Sequence, residues 1–264
     1  VKVLIEHAED VDHATERFHR EAQILQRLQH PNILRVYEYG HQENVGFYFV
    51  MEFLEGCDLK TFIKEMKGQN VLPTFTEVAN MFSQICSAVS YAHQFSVVHR
   101  DIKPSNIFLV GGDPQGTIKL LDFGIVKILN ADSSFVTSSG LLVGTPSYFS
   151  PEQAQALAAD YRADIYSLCV VLFECLTGHL PFVGTNAFHF IMHHLHGKVP
   201  KLAEKVKDRF YPEILDAIIA KGMAKKPEDR YQSVIELQNE ILYALEEDTG
   251  DFAVMEQHTI PDMS

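Results

Sequence analysis

The chain has 264 residues, of which 46% are hydrophobic, so it can bury a substantial core as one large or two small domains. With 22 Lys and Arg against 35 Asp and Glu its net charge is −13, which argues against nucleic acid or an anionic membrane as main partner. The charge mildly favours basic peptides, but a solvated acidic surface is the preferred explanation. No apolar run reaches the roughly 18 residues that span a bilayer, and the four cysteines form no C-x-x-C pair, which is typical of reduced cytosolic thiols.

The first fifty-odd residues predict a strand, a helix and two further strands. Residues 1–5 form an apolar run that contains Lys2, which favours a buried strand. This run opens in mid-pattern without a starting Met, so we expect the chain to be a fragment of a longer protein. Apolar residues at three- and four-residue steps predict a helix over about residues 11–28. Two strand-like runs follow, at 33–39 and 46–53, around a polar turn.

From about residue 55 the pattern becomes mainly helical. Thr74 or Thr76 is placed to cap a helix that runs through residue 92. A small hairpin is predicted from strands at 107–110 and 117–121. Further helices are predicted near 161–177, 186–196, 212–223 and 232–246. The Ser-, Thr- and Gly-rich residues 125–150 predict a long loop, which in a compact domain is usually functional or mobile.

Two short segments carry polar side chains that suit chemistry on phosphate. The first is His-Arg-Asp-Ile-Lys-Pro-Ser-Asn at 99–106, and the second is Asp-Phe-Gly at 122–124. They supply a carboxylate, an ammonium group, a carboxamide and a second carboxylate, which is the set that phosphoryl transfer from a metal-bound nucleotide needs. Taken singly, each residue fits an ordinary turn, a helix cap or a solvated lysine.

The spacing resembles the H-R-D-x-K-x-x-N and D-F-G patterns of eukaryotic-type (Hanks-type) protein Ser/Thr kinase catalytic domains, and is most similar to their bacterial members. The resemblance extends from residue 1 to about residue 246. The similarity to bacterial members rests on the amino-acid sequences of three segments, at 17–22, 150–154 and 227–231. The family resemblance implies an α+β, bilobal protein kinase-like fold. Its N-lobe is small and β-rich, and is incomplete here, and its C-lobe is larger and helical. The implied parts are a partial N-lobe at 1–54, a C-lobe at 55–246 and a polar, acidic, frayed tail at 247–264.

The resemblance also implies the catalytic roles. Asp101 would accept or orient the proton of a substrate hydroxyl, and Lys103 would stabilise charge on the transferring phosphoryl group. Asn106 and Asp122 would bind Mg²⁺, with Mn²⁺ as an alternative, because magnesium prefers oxygen ligands that bridge to phosphates.

An ATP site between the lobes follows from the same resemblance. Lys2 would hold the α- and β-phosphates and pair with Glu21 on the following helix, whereas the alternative is an exposed strand-end lysine and a solvated glutamate. The remaining nucleotide contacts would be Met51 as gatekeeper, backbone groups of Glu52 and Leu54 for adenine, Asp58 for ribose, and Phe108 as the floor under adenine.

Other matches are structural. Asp164 would hold the backbone of the catalytic loop, and Glu152 would form an ion pair with Arg230. Four residues would form an internal hydrophobic stack: Leu25, Val36, His99 and Phe123.

The segment from residue 122 to residue 152 would be regulatory. In kinases with an arginine at the position of Arg100, that arginine pairs with a phosphate on this loop. The candidate phosphosites are Thr137, Ser138 and Ser139, with Thr137 favoured, although Ser/Thr enrichment also fits any flexible loop. Thr145, which would bond Asp101 or Lys103, matches the Ser/Thr rather than the tyrosine kinase pattern.

The implied function is that of an ATP-dependent protein serine/threonine kinase in the cytoplasm, which binds ATP and protein substrates but no nucleic acid. A homodimer would allow trans-autophosphorylation, and a membrane tether of the parent protein would lie outside this chain. The sequence lacks the G-x-G-x-x-G loop that in the family covers the phosphates. This keeps open a pseudokinase or scaffold that binds partners without turnover. A small-molecule kinase of related fold is the third alternative, which the 145–152 pattern disfavours.

Overall fold

A three-stranded antiparallel sheet precedes a mainly helical region, and the candidate site lies where the two meet. The computed structural model describes residues 1–4, 18–19, 22–42, 46–123, 146–209 and 211–257, without the side chains of Leu4 and of residues 248–257. The α+β, two-lobed architecture predicted from the sequence is confirmed.

The first sheet contains β1 (Lys2–Leu4), β2 (Val36–Gln42) and β3 (Gly46–Met51) in the order β1-β3-β2. Strand β3 buries alternate residues, Phe47 and Phe49, as the two-residue period of a strand requires. These rings pack against Phe18, whose ring centroid lies 4.4 Å from that of Phe47. Helix α1, described at residues 22–27, lies on the same face through the buried Ala22 and Leu25.

Strand β1 is less buried than its apolar run predicts, so this prediction is wrong. The exposed fractions are 85% for Val1 and 46% for Val3. Among the described strands β1 pairs only with β3, which places it at the edge of the sheet, where an apolar residue can face solvent.

A second small sheet contains β4 (Gly56–Asp58), β5 (Ile107–Val110) and β6 (Ile118–Leu120). The hairpin of β5 and β6 confirms the prediction. Strand β4 was not predicted, because three residues of sequence Gly-Cys-Asp carry no alternation. It forms because β5 offers it a partner, with Asp58 opposite Phe108.

The helical region is built around a buried central helix, α5 (Arg162–Thr177), which ends at Gly178 in the left-handed conformation (φ 66°) that glycine adopts at little cost. Thr74 and Glu77 form the capping box of the helix at Phe75–Gln94, which confirms one of the two predicted caps. The other helices are α2 (Leu59–Gly68), α3 (Phe75–Gln94), α4 (Pro151–Ala154), α6 (Ala187–His196), α7 (Glu213–Gly222) and α8 (Val234–Gln257). Within the described ranges, none of the helices combines the length and apolarity that crossing a membrane requires.

Helix α8 is longer than predicted. It was expected to end at residue 246, before the frayed tail, but it continues to Gln257. Glutamate is a good helix former, and the single interior glycine, Gly250, costs only about 1 kcal/mol relative to alanine.

Candidate active site

The catalytic loop at residues 99–106 gathers three predicted residues around one carboxylate. Lys103 Nζ donates to Asp101 Oδ2 at 2.8 Å, and Asn106 Nδ2 donates to the same oxygen at 3.0 Å. Asn106 Nδ2 also donates to the Asp101 carbonyl at 2.8 Å, which closes the loop on itself. These contacts use one carboxylate oxygen of Asp101 and leave Oδ1 without a hydrogen-bond partner among the described residues.

The backbone of Leu121 connects this loop to Asp122. Its N–H donates to the Asn106 carbonyl at 2.8 Å, and its carbonyl accepts from His99 Nε2 at 2.8 Å. Since Asn106 Nδ2 donates within the loop, its side-chain oxygen is the atom left to bind a cation. Asn106 Oδ1 and the Asp122 carboxylate are oxygen donors of the kind that a hard divalent cation prefers.

Asp122 and Arg100 are held in an unusual backbone conformation. Their φ angles are 48° and 61°, in the left-handed region that non-glycine residues adopt at a cost of about 1–3 kcal/mol. At Arg100 the surrounding hydrogen bonds offset this cost: its N–H donates to Asp164, and its carbonyl accepts from Gln153. Lys2 Nζ donates to Asp122 Oδ1 at 2.7 Å, and both side chains are one third exposed.

Asp164 holds the catalytic loop from inside α5, as predicted. Its buried carboxylate accepts from the N–H groups of His99 at 2.9 Å and Arg100 at 2.8 Å, and from His93 Nε2 at 2.8 Å. Asp101 N–H donates to His99 Nδ1 at 3.3 Å, so the His99 proton lies on Nε2, which donates to Leu121. The loop is thus fixed by the helical region before any ligand binds.

The four residues of the predicted hydrophobic stack are all buried. The rings of His99 and Phe123 lie 4.7 Å apart, and Leu25, Val36 and Phe123 belong to the same continuous core. Phe123 packing thereby ties the position of Asp122 to the core.

The segment after β3 leaves backbone groups available between the two sheets. Glu52 N–H donates to the Arg35 carbonyl at 3.0 Å, while its carboxylate accepts from Lys119 Nζ and Arg35 N–H, each at 2.7 Å. The Glu52 carbonyl and the Leu54 N–H have no partner among the described residues. Met51, at the end of β3, is half-buried against the core.

Asp58 and Phe108 face each other across β4 and β5. Asp58 Oδ1 accepts from Thr61 N–H at 2.7 Å and so caps α2, which leaves its second carboxylate oxygen without a partner in the described part of the chain. Cys57 is partly buried, and burial, Glu65 and Asp58 raise the pKa of its thiol, which therefore favours the unreactive protonated form.

The predicted ion pair between Glu152 and Arg230 is confirmed. Arg230 Nη1 and Nη2 donate to the two carboxylate oxygens at 2.8 and 2.7 Å, and both side chains are buried. This pair attaches the start of α4 to the segment that precedes α8.

Several predicted residues lie outside the described residues. They are Glu21 and the loop residues Thr137, Ser138, Ser139 and Thr145. The contacts predicted for them stay predictions.

Two buried polar residues, Gln153 and His194, make contacts that no sequence pattern predicted. Gln153 Nε2 donates to the Arg100 carbonyl at 2.9 Å, and its Oε1 accepts from Ser150 N–H at 3.0 Å. His194 Nε2 donates to the Ser147 carbonyl at 3.0 Å, and its Nδ1 accepts from Tyr166 at 2.9 Å. Burial lowers the pKa of His194 to about 4, so it is neutral near pH 7. In the sequence Gln153 stands out only by following Ser-Pro-Glu, and His194 is one of several histidines in α6.

Comparison with known proteins agrees with this geometry. The serine/threonine-protein kinase PrkC of Bacillus subtilis (strain 168) is 39% identical over 232 residues, which cover 88% of this chain and 34% of PrkC. The serine/threonine-protein kinase Pkn1 of Myxococcus xanthus is 35% identical and covers the whole chain, which spans 38% of Pkn1. The chain therefore spans about a third of the length of the curated relatives it matches.

Solved structures show the same fold. The kinase domain of Mycobacterium tuberculosis PknI superposes with a TM-score of 0.69 at 26% identity, over 92% of this chain and 84% of that chain. A family model described as the protein kinase domain matches residues 1–242. The chain therefore belongs to the protein kinase domain family, whose members use ATP and a divalent metal.

Proposed function

We propose that this chain is the catalytic domain of an ATP-dependent protein serine/threonine kinase, which transfers the γ-phosphoryl group to Ser and Thr hydroxyls of proteins. The observation that supports this most is the asymmetric bonding of Asp101. Lys103 and Asn106 hold one carboxylate oxygen, and Oδ1 has no partner among the described residues. A carboxylate fixed in this way can accept a hydroxyl proton with its second oxygen.

The other polar side chains have complementary roles in this proposal. A bound nucleotide would supply the phosphoryl group, and its divalent cation would neutralise charge on that group. Asp101 orients the substrate hydroxyl and takes its proton, while Lys103 stabilises negative charge on the phosphoryl oxygens. Asn106 and Asp122 hold the cation, for which we propose Mg²⁺, with Mn²⁺ as a substitute, because both ligands are hard oxygens.

The nucleotide would lie between the two sheets. We propose that the Glu52 carbonyl and the Leu54 N–H bond the adenine edge, since neither has a partner in the described part of the chain. Met51 would border the adenine and Phe108 would lie beneath it, with Asp58 near the ribose. Lys2 would bind the α- and β-phosphates, and its pairing with Glu21 remains part of the proposal.

Regulation and partners follow from the same proposal. A phosphate on Thr137 would pair with Arg100, which is exposed beside the catalytic Asp101. Transfer between two copies of the chain would require a transient homodimer. The net charge of −13 favours protein over nucleic acid as partner, and the four unpaired cysteines suit a cytoplasmic location.

The test is Mg²⁺-dependent transfer of labelled phosphate from ATP to the chain and to a basic protein. It uses the chain itself and an extended form in which a G-x-G-x-x-G strand pair precedes Val1. We expect the extended form to transfer phosphate, and Asp101→Asn to reduce the rate by about 10²–10⁴-fold. Asp113→Asn is the matched control, because in the described part of the chain this exposed carboxylate accepts only from Gln115 N–H, in a turn.

The same experiment distinguishes the scaffold alternative. An extended form that binds ATP but transfers nothing, in any phosphorylation state of the loop, would establish a pseudokinase. A rate unchanged by Asp101→Asn would show that the assignment of this carboxylate is wrong.

A further inference from the structure

A basic cleft lies in the helical region, and none of its lining residues belongs to the candidate active site. Its volume is about 540 Å³, within the range of ligand sites. It is bordered by the end of α2, the turn that follows α5, and the segment before α7. Its cationic side chains are Lys67, Lys205, Lys207 and Arg209.

The basic cleft is positive on an otherwise acidic protein. Its four cations and one carboxylate, Asp208, give a formal charge of +3 (4 − 1), whereas the whole chain carries −13. None of the four cations forms a salt bridge with another described residue. Clustered like charges raise the electrostatic free energy of the folded protein, and a bound anion removes that cost.

Specific contacts hold the walls of the cleft together. Lys67 Nζ donates to the Gly178 carbonyl at 3.1 Å, which fixes the end of α2 to the end of α5. Tyr211 donates its hydroxyl hydrogen to the Leu176 carbonyl and so fixes the opposite wall. The Arg209 guanidinium lies 5.4 Å from the centroid of the Tyr211 ring, which restricts its position. Two of the lining groups, Lys67 and Arg209, are thus positioned before a ligand arrives.

The floor of the cleft is a helix C-terminus, which by itself would repel an anion. Here the terminal carbonyls already accept hydrogen bonds. Leu176 and Gly178 accept from the two wall residues, and Thr177 accepts from His179 Nδ1 at 2.8 Å. His179 Nε2 has no partner among the described residues. These hydrogen bonds reduce the repulsion, and the four cations add attraction for an anion.

We propose that the basic cleft binds a phosphorylated Ser or Thr segment of a protein. The phosphate would be bound by the flexible Lys205 and Lys207 and by the Arg209 guanidinium, whose parallel N–H groups match phosphate oxygens. A neighbouring apolar side chain would pack on the apolar wall of the cleft: Val71, Leu72 and Val206. The inference rests on the proposed function only for the origin of the phosphate, because a Ser/Thr kinase generates this ligand. The site would retain proteins that already carry one phosphate.

The test is fluorescence anisotropy with a labelled peptide that carries one phosphothreonine next to leucine. The peptide is titrated with the Asp101→Asn variant of the chain, so that no phosphate transfer is needed and failure of the proposed function does not affect the result. We expect binding that weakens as ionic strength rises. The double variant Lys207→Glu/Arg209→Glu should bind about tenfold or more weakly. Its control, Lys198→Glu/Lys226→Glu, changes net charge equally at exposed lysines outside the cleft and should bind like the parent.

Three results would overturn the proposal. The first is equal binding of the unphosphorylated peptide or of both double variants. The second is displacement by inorganic phosphate at the concentration at which the phosphopeptide itself competes, which would identify a site for free phosphate. The third is binding to phosphatidylserine vesicles without binding to the phosphopeptide, which would identify a membrane contact.

Discussion

Arg230 donates hydrogen bonds to both carboxylate oxygens of Glu152 inside the helical region. Its remaining donors reach the carbonyls of Ala224 at 2.8 Å, Arg162 at 3.0 Å and Lys225 at 3.2 Å. Every N–H of the guanidinium therefore has a partner, and three segments of the chain converge on one side chain. The loss of this side chain would leave a buried carboxylate without a counter-charge.

Arg230→Ala should therefore destabilise the protein by about 3–5 kcal/mol. At this chain length that corresponds to a fall in melting temperature of roughly 6–20 °C, measured by calorimetry. The matched control is Arg162→Ala, which removes an arginine whose pair with Asp160 is partly exposed and should cost about 1 kcal/mol. Equal melting of Arg230→Ala and the parent chain would contradict the structural role given to this pair.

Gln153 is a positioning residue in our interpretation, because it connects the Ser150–Glu152 turn to the catalytic loop without touching a substrate. Gln153→Leu removes the donor to the Arg100 carbonyl and the acceptor for Ser150 N–H, which should cost about 1–3 kcal/mol of stability. In the extended form, kcat should fall about 10- to 100-fold with little change in KM for ATP, because a small displacement of Asp101 affects the chemical step.

Gln155→Leu provides the comparison for this measurement. Gln155 is exposed, and among the described residues its side chain donates only to the Pro151 carbonyl at 3.1 Å, so both kinetic constants should stay close to those of the parent. If Gln153→Leu lost stability but kept its kcat, Gln153 would be a structural residue with no effect on the position of Asp101.

Periodic patterns and the family resemblance predicted much of this structure. The β5–β6 hairpin, the α3 cap and the pair of Glu152 with Arg230 all follow from them. The features that were not predicted depend on contacts with residues distant in sequence. Strand β4 is too short to have a pattern and forms only beside β5, and the apolar β1 is exposed because it lies at a sheet edge.

In the candidate site, too, the contacts that could not be predicted are those between residues distant in sequence. Asp101, Lys103 and Asn106 lie within six consecutive residues and contact one another, so their sequence spacing was enough to predict that they share a site. Gln153 reaches a carbonyl 53 residues away, and no local pattern specifies that distance. Among the neighbouring histidines of α6, only packing determines that His194 is the buried one.

Lys2→Met should separate activity from stability. The pair with Asp122 is one third exposed on each side, so its removal should change the free energy of unfolding by about 1 kcal/mol or less. In the extended form, phosphate transfer should fall by about 10²–10³-fold, because a cation aimed at developing phosphate charge is lost. Lys198→Met, at an exposed lysine, is the control. A parent-like transfer rate for Lys2→Met would exclude Lys2 from the phosphate site.

His194 makes stability depend on pH. Tyr166 and the Ser147 carbonyl hold its ring, while Lys225, which donates to the His194 carbonyl, adds nearby positive charge. Burial lowers the pKa of the ring to about 4, below its ordinary value of 6.5. Between these values the unfolded state binds more protons than the folded state, so stability rises with pH across this window and is lost as pH falls through it.

From the two pKa values, this residue should make the chain about 2 kcal/mol less stable at pH 5.0 than at pH 7.5. Urea unfolding at both pH values measures the difference, and the same measurement on His194→Gln removes this contribution while leaving an amide that can donate to the Ser147 carbonyl. His196→Gln, at an exposed histidine of the same helix, should keep the pH dependence of the parent. Identical pH dependence in His194→Gln and the parent would mean that folding does not shift the pKa of His194, so that the ring becomes charged in the folded state by pH 5.0. That result is incompatible with a ring that accepts a hydrogen bond from Tyr166.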